Sequence, residues 1–508
     1  MLNTEREMSH VGGTLRSSGM QHWFSIQHLA FGILFMVLCT MNSAGYRYGA
    51  SDQAFYLPVV VRHFDASLFP RDRALIDAQG RLTLYDDVVA ALARVTPLRL
   101  PHLFFVLYLC TLVLLFVAAL RIGAHWYRAR WAPLALATAL TLRHAVAKTG
   151  ANTLEGYFHP RPLAFAIALL AVSMFLQRRD GRAALLLALA GSLHPTTTAW
   201  FVVWLSVALF VARPRWRRAM LAVTGIAILV GMWIVVQGPL AGRLTKMDPA
   251  WLAVIADKDY LFPLSWPLNA WLTNLVAIPI IVLSWRARRR AGALVERETA
   301  VVVGALGLLV LFVCWLPLNA AHVALAVQLQ VSRLFWMLDL LATIYLVWLF
   351  ADGTDRRAAI VVAVLALASA ARGGYICFVQ FPDRPIVAID LQHRDWREAM
   401  AWARQTPTSS GWLADPLHAT RYGSSVRAAG QRDVFLEQVK DTALAMYDRD
   451  VAMRVADRER ALMATPWDSA EGARAIARRY DLDYLLIEHP VDLPLAYRVG
   501  SIFIFRLR

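Results

Sequence analysis

Four cysteines in 508 residues, Cys39, Cys110, Cys314 and Cys377, lie within or at the end of apolar runs, so neither a disulfide framework nor a thiolate metal site is implied. No histidine and cysteine cluster has zinc spacing, and no GxSxG turn or Ser/His/Asp set suggests a hydrolase. A phosphate-binding glycine-rich loop is missing too, which leaves ATP-driven transport unsupported. Internal repeats and low-complexity tracts are absent, and only 17% of residues are charged. Lysine is scarce: four residues against 48 arginines, a bias that reflects base composition and makes any single loop arginine a weak signal.

What is present is apolar bulk. With 58% apolar residues and 18 tryptophans the composition is that of a polytopic membrane protein. The formal charge of +16 suggests a nucleic-acid partner only until it is divided along the chain. Residues 380–508 hold 18 basic and 18 acidic residues, so the whole excess sits in the apolar part, as the positive-inside rule requires, and nucleic acid is excluded.

Candidate spans, several of them short, recur near 23–41, 102–120, 132–147, 162–176, 183–193, 197–212, 219–236, 268–285, 299–316, 323–350 and 358–377. The expectation is therefore about 11 transmembrane helices, the first a retained signal anchor behind a cytoplasmic tail, 1–22. The arginine-rich stretches "RIGAHWYRAR", "QRRDGR", "RPRWRR", "RARRRAGALVER" and "ADGTDRR" all follow even-numbered segments and so fall on one side. With that side cytoplasmic, the 42–101 loop, "KTGANTLEGYFHPR", "HPTTT", the 237–267 loop and the C-terminus face outward. Within the 42–101 loop, "DQAFYLPVVVRHF" and "LYDDVVAALARV" have the apolar spacing of interfacial helices that would roof a cavity. The membrane domain, 23–379, gives way to a small extracytoplasmic α/β domain at 380–508, with "GG" at 373–374 as a hinge.

Several polar residues stand where chemistry is possible. Asp52 follows the first span among Tyr46, Tyr48, Phe55 and Tyr56, and is either a helix N-cap or a general base. Asp65, Asp86 and Asp87 are ordinary loop acids, and Asp72, between Arg71 and Arg73, reads as an ion-paired surface acid. Glu155, His159 and Arg161 gather within seven residues ahead of a span, a set suited to a phosphate or polyol and equally to interfacial anchoring. His194 lies inside an apolar interval, facing either a cavity or a structural hydrogen bond. Arg333, some ten residues into the 323–350 run, costs about 3 kcal/mol or more to insert unless compensated, by Asp339 or by a lipid phosphate.

"SDQAFYLP", "EGYFHPRPLAF", "LHPTTTAWF" and "LQVSRLFWMLDL", together with the arrangement of spans and outer domain, resemble the GT-C superfamily of membrane glycosyltransferases, in particular protein mannosyltransferases, lipid A aminoarabinose transferases and uncharacterised bacterial members. The resemblance implies an α-helical GT-C-like membrane fold in a bacterial inner membrane and transfer of a sugar from a polyprenyl-phosphate donor to a hydroxyl of a glycan, lipid or protein acceptor outside the cytoplasm. Asp52 would be the base, Arg333 and Arg161 would stabilise the departing phosphate, and Glu155 and His159 would orient the donor, with His194 lining the same cavity. A divalent cation is used by some relatives, and no metal ligand is assigned from this sequence. Many relatives carry a second acid directly after the first, where this chain has Gln53, which leaves Glu155, Asp65 or Asp72 to serve. A transporter of lipid-linked sugars and a non-catalytic envelope scaffold are the alternatives, the first needing the cavity but no base, the second needing only the outer domain.

Overall fold

The computed structural model describes residues 26–80 and 83–508; the expected cytoplasmic tail and the start of the first apolar run lie outside the described residues. Seven helices among the described residues are long and apolar enough to cross a membrane: Leu100–Trp126, Pro195–Ala212, Pro214–Val236, Leu268–Arg290, Glu298–Ala320, Ala324–Ala351 and Asp355–Gln380. The other four expected segments are helical but short. Ile26–Asn42 and Pro160–Leu176 have 17 residues, Asp180–Leu193 has 14 and Ala132–Leu140 has nine, the last rising only about 14 Å.

Ala324–Ala351 forms the centre of the bundle, with 72% of its apolar window buried, whereas Pro214–Val236 buries none and stands at the periphery. The arginine-rich stretches meet at one end. Arg128 and Arg130 donate backbone N–H groups to Asp352 and Asp355, Arg288 reaches the Trp126 carbonyl and Glu298, and Arg297 and Arg213 share Asp180. Loop arginines here close the helix ends, as a fork of five donors allows.

The 42–101 loop lies against the C-terminal domain. Its expected helices form at Gln53–Arg62 and Tyr85–Val95, and a third, Arg73–Gly80, lies between them. Tyr46–Arg47 pairs in parallel with Val387–Ala388, tying the loop's start to the chain entering the C-terminal domain. That domain is built on a five-stranded sheet in the spatial order Asp433–Val434, Gly411–Ala414, Tyr484–Ile487, Ile502–Arg506, Leu495–Val499. The first three strands are parallel and the last two form an antiparallel hairpin.

Two expectations are corrected. Gly373 and Gly374 are no hinge, because both lie inside the helix Asp355–Tyr375. A Cβ at Gly373 would come within 2.8 Å of the Met41 side chain, so this glycine permits close helix packing. Nor is Asp72 a surface acid: it is fully buried and ignores both sequence neighbours. Its carboxylate accepts from Arg427 Nε (2.6 Å), from Arg454 and from the Val434 N–H (3.2 Å), all in the C-terminal domain. Arg427 is held in turn by Asp441 at 2.5 and 2.9 Å.

Candidate functional site

Between the first loop, the second loop, the broken central helix and the C-terminal domain lies a cavity of about 320 Å³, a volume suited to a small ligand or part of a larger one. Asp52, Glu155, His159, Arg161, His194 and Arg333 all line it. The six residues singled out in the sequence, spread over 282 positions from Asp52 to Arg333, thus converge on one place.

Asp52 occupies the position before Gln53–Arg62, but its backbone is already helical (φ −65°, ψ −14°) and its side chain makes no capping bond. The carboxylate is committed elsewhere: Oδ1 accepts from Lys440 Nζ at 2.6 Å and Oδ2 from Arg161 Nη2 at 3.4 Å. Burial opposes ionisation of Asp52, and Lys440, Arg161 and His159 together outweigh it, holding the carboxyl well below the usual range. The capping reading therefore fails.

Arg161 Nη2 also donates to Glu155 Oε1 (2.6 Å), while Glu155 Oε2 meets His159 Nε2. Burial again works against the charged carboxylate, but Arg161 and His159 bring Glu155 down to about 2. The His159 ring is fixed by stacking on Tyr157, with centroids 4.8 Å apart. Pro160, the first residue of Pro160–Leu176, starts the helix directly after it. Close approach of the two loops depends on Gly156, where a Cβ would fall 2.1 Å from the Gly45 carbonyl oxygen. Donor atoms of Asp52, Glu155 and His159 lie within 4.8 Å of one another, so this trio has the chemistry and spacing to hold a divalent cation.

Gln53 is buried outside the cavity's lining. Its Oε1 accepts from the Gly49 N–H (2.6 Å) and its Nε2 donates to the Phe158 carbonyl (2.8 Å). An amide serves both contacts; a carboxylate has no proton for Phe158. The position following Asp52 thus binds the first loop to the second, and Glu155 is the second acid at the site.

Arg333 is where the central helix breaks. Gln330 is left-handed (φ 49°), Val331–Leu334 is a 3₁₀ turn, and the α-helix resumes at Phe335. Irregular backbone within an apolar span is tolerated where it lines a cavity, and here it does. The expected partner is wrong: Asp339 pairs with His144 Nδ1 at 3.0 Å, because six residues of helix turn it away from Arg333. Among the described residues Arg333 has no ion pair, and its buried Nε has no hydrogen-bond partner. His194 fulfils both of its readings, lining the cavity while Nδ1 accepts from the Thr197 N–H (3.2 Å) to cap Pro195–Ala212.

Residues not singled out in the sequence complete the wall: Lys258 and Tyr260 from the 237–267 loop, Gln330 beside Arg333, and Lys440, Met446 and Tyr447 from the C-terminal domain. Lysine scarcity was the available signal, since two of only four lysines line this cavity. Lys258, Lys440, Arg161 and Arg333 outnumber Asp52 and Glu155, so the cavity carries excess positive charge. Buried atoms at His159 (Nδ1), Arg161 (Nε), Gln330 (Oε1) and Arg333 (Nε) have no hydrogen-bond partner, although buried polar groups are nearly always paired.

No protein-family model matches the chain, and no curated protein matches it. Among the solved structures that match, two are distantly similar to it. One is the archaeal oligosaccharyltransferase AglB from Archaeoglobus fulgidus in complex with an inhibitory peptide and a dolichol-phosphate, at 10% identity and a TM-score of 0.43. The other is the Archaeoglobus fulgidus oligosaccharyltransferase tethered to an acceptor peptide containing the NVT sequon, at 12% identity and a TM-score of 0.41. Each comparison covers 92% of this chain and 70% of the other. A likeness this distant leaves the chemistry to be read from the residues of the site itself.

Proposed function

We propose that the chain is an integral membrane glycosyltransferase that moves a sugar from a polyprenyl-phosphate donor to an acceptor hydroxyl on the extracytoplasmic side of the membrane. The observation that carries this reading is Arg333: a buried arginine with an unpartnered Nε, at a break in an apolar helix, opening on the same cavity as Asp52. A cation so placed is costly unless an anion comes to it, and a lipid phosphate is an anion already at the membrane.

In the reaction, the acceptor oxygen bonds to the anomeric carbon as the bond from that carbon to the phosphate oxygen breaks. The acceptor proton passes to Asp52, and the electron pair leaves with the polyprenyl phosphate. Arg333 meets the charge growing on that phosphate, assisted by Arg161, while Glu155 and His159 orient the donor. A divalent cation held by Asp52, Glu155 and His159 would supply further positive charge beside the leaving phosphate. Asp52 and Glu155 are held ionised by neighbouring cations, and a carboxylate held so low is a weak base. The closer partner of Asp52, the Lys440 ammonium, must therefore turn away as the acceptor arrives.

The test is sugar transfer by the full-length protein in lipid nanodiscs with polyprenyl-phosphate sugars. Asp52→Asn should abolish transfer and keep donor binding; undiminished transfer would sink the assigned base. Movement of labelled lipid across the bilayer with no glycosidic product would instead establish a transporter.

A further inference from the structure

The two cations on Asp52 differ in origin. Arg161 belongs to the second loop, with Glu155 and His159, and its guanidinium bridges both carboxylates. Lys440 comes from the C-terminal domain, 388 residues further along the chain. It sits on the short helix Gln438–Leu444, which is anchored by Asp441 to Arg427 and through Arg427 to Asp72. The helix is pinned, but the Lys440 ammonium rides on a flexible four-carbon stem. Apart from Asp52, it meets Ser51 Oγ at 3.3 Å and the Phe55 ring at 5.9 Å, both weak holds, and lies within electrostatic range of the buried Glu437 carboxyl.

We propose that Lys440 is a tethered cation holding the place of a divalent cation at Asp52, so that the free ion binds to Asp52, Glu155 and His159 as the Lys440 ammonium swings out. This rests on the reading of those three residues as the reacting end of the cavity. The charge balance supports exchange over simple addition. Two carboxylates are already neutralised by Arg161 and Lys440, with a half-buried Asp52 between them. A doubly charged ion entering beside both cations would leave the cluster strongly positive at contact distances, where like charges repel. Removal of Lys440 lowers that excess and frees Oδ1 as a ligand. Arg161 is the poorer candidate to leave, since it is buried and held by Glu155 at 2.6 Å as well.

Exchange makes the two events reciprocal: the ion expels the ammonium, and the ammonium weakens the ion. Mn2+ binding to the full-length protein, followed by the electron paramagnetic resonance signal of free Mn2+, tests this. A His63→Ala background removes the second group of side chains spaced for a metal, His63 with Asp86 and Asp87. In that background Lys440→Met should bind Mn2+ about tenfold more tightly than the unsubstituted protein, and Asp52→Asn should lose this binding. Equal or weaker binding by Lys440→Met overturns the proposal. A second measurement decides the matter if that variant does not fold. Because the chain has only four lysines, pulse acylation read by mass spectrometry resolves each amine. Mn2+ should raise labelling of Lys440 several-fold and leave Lys148 and Lys246 unchanged; unchanged labelling of Lys440 also overturns the proposal. Neither readout depends on sugar transfer. A protein that shows the exchange but transfers no sugar would refute the transferase reading alone.

Discussion

Asp52 and Asp72 come from the same loop, are both withdrawn from water, and are both paired with cations of the C-terminal domain. They nevertheless do different things. Around Asp72 the carboxylate itself is fully engaged, by Arg427, Arg454 and the Val434 N–H, and it lies outside the lining of the cavity that holds Asp52. Around Asp52 the network is open: among the described residues Arg333 Nε, Gln330 Oε1 and His159 Nδ1 have no hydrogen-bond partner, and all three residues line the same cavity. A buried acid whose surroundings are complete is a latch between domains. One whose surroundings are incomplete has room for a ligand, and the unpaired groups show where that ligand's polar atoms belong.

Substitution of the two acids should separate these roles. Asp52→Asn is expected to reduce turnover about 10³-fold with donor binding retained, as removal of a general base does. Asp72→Asn should leave turnover per folded molecule within about threefold but remove the charge that Arg427 and Arg454 share, at a cost of about 3–5 kcal/mol. Thermal unfolding and proteolytic release of residues 380–508 would reveal that loss; unchanged stability would mean that Asp72 is no latch.

Glu437 gives the latch a pH dependence. It is buried, its ion-pair contact to Arg427 is long at 3.8 Å, and burial, opposed by Arg427 and reinforced by Asp441, pushes its carboxyl up to about 7. An acid whose folded pKa lies above its unfolded value stabilises least once ionised. Its contribution is intact below about pH 4.5 and falls as pH rises to about 7, by roughly 3 kcal/mol. Glu437→Gln should therefore stabilise the docked C-terminal domain at pH 8 and flatten the unfolding profile between pH 5 and 7. A profile as steep as before would assign the dependence to another group. Asp65 supplies the smallest effect. This third acid of the loop is exposed and bonded only to Ser67, so Asp65→Ala should change neither turnover nor the unfolding temperature measurably.

Much of this arrangement was legible beforehand because it depends on local composition. Apolar runs marked the helices, arginine placement grouped their ends, and alternating patterns outlined the C-terminal strands. His194 and Arg333 were conspicuous as polar residues inside apolar runs, and Glu155, His159 and Arg161 as an acid, an imidazole and a guanidinium within seven residues; all five line the cavity. Residues in a balanced, soluble-looking stretch gave no such contrast. Lys440 is ordinary in its own helix, and only its rarity as a lysine distinguished it. Asp72 was misread because its flanking arginines suggested a surface pair, while its true partners lie 355 and 382 residues away.

The sequence by itself marked most of the helical segments and the polar groups that had to find company, since both follow from short-range periodicity and the cost of burying charge. Tertiary structure decided the company. It sent Asp339 to His144, Asp72 to Arg427 and Lys440 to Asp52, because ion pairing acts over a few ångströms of space and carries no trace in chain separation. It also placed Arg333, which has no ion pair among the described residues, on the same cavity as Asp52, and the reading of a phosphate-bearing substrate depends on that placement.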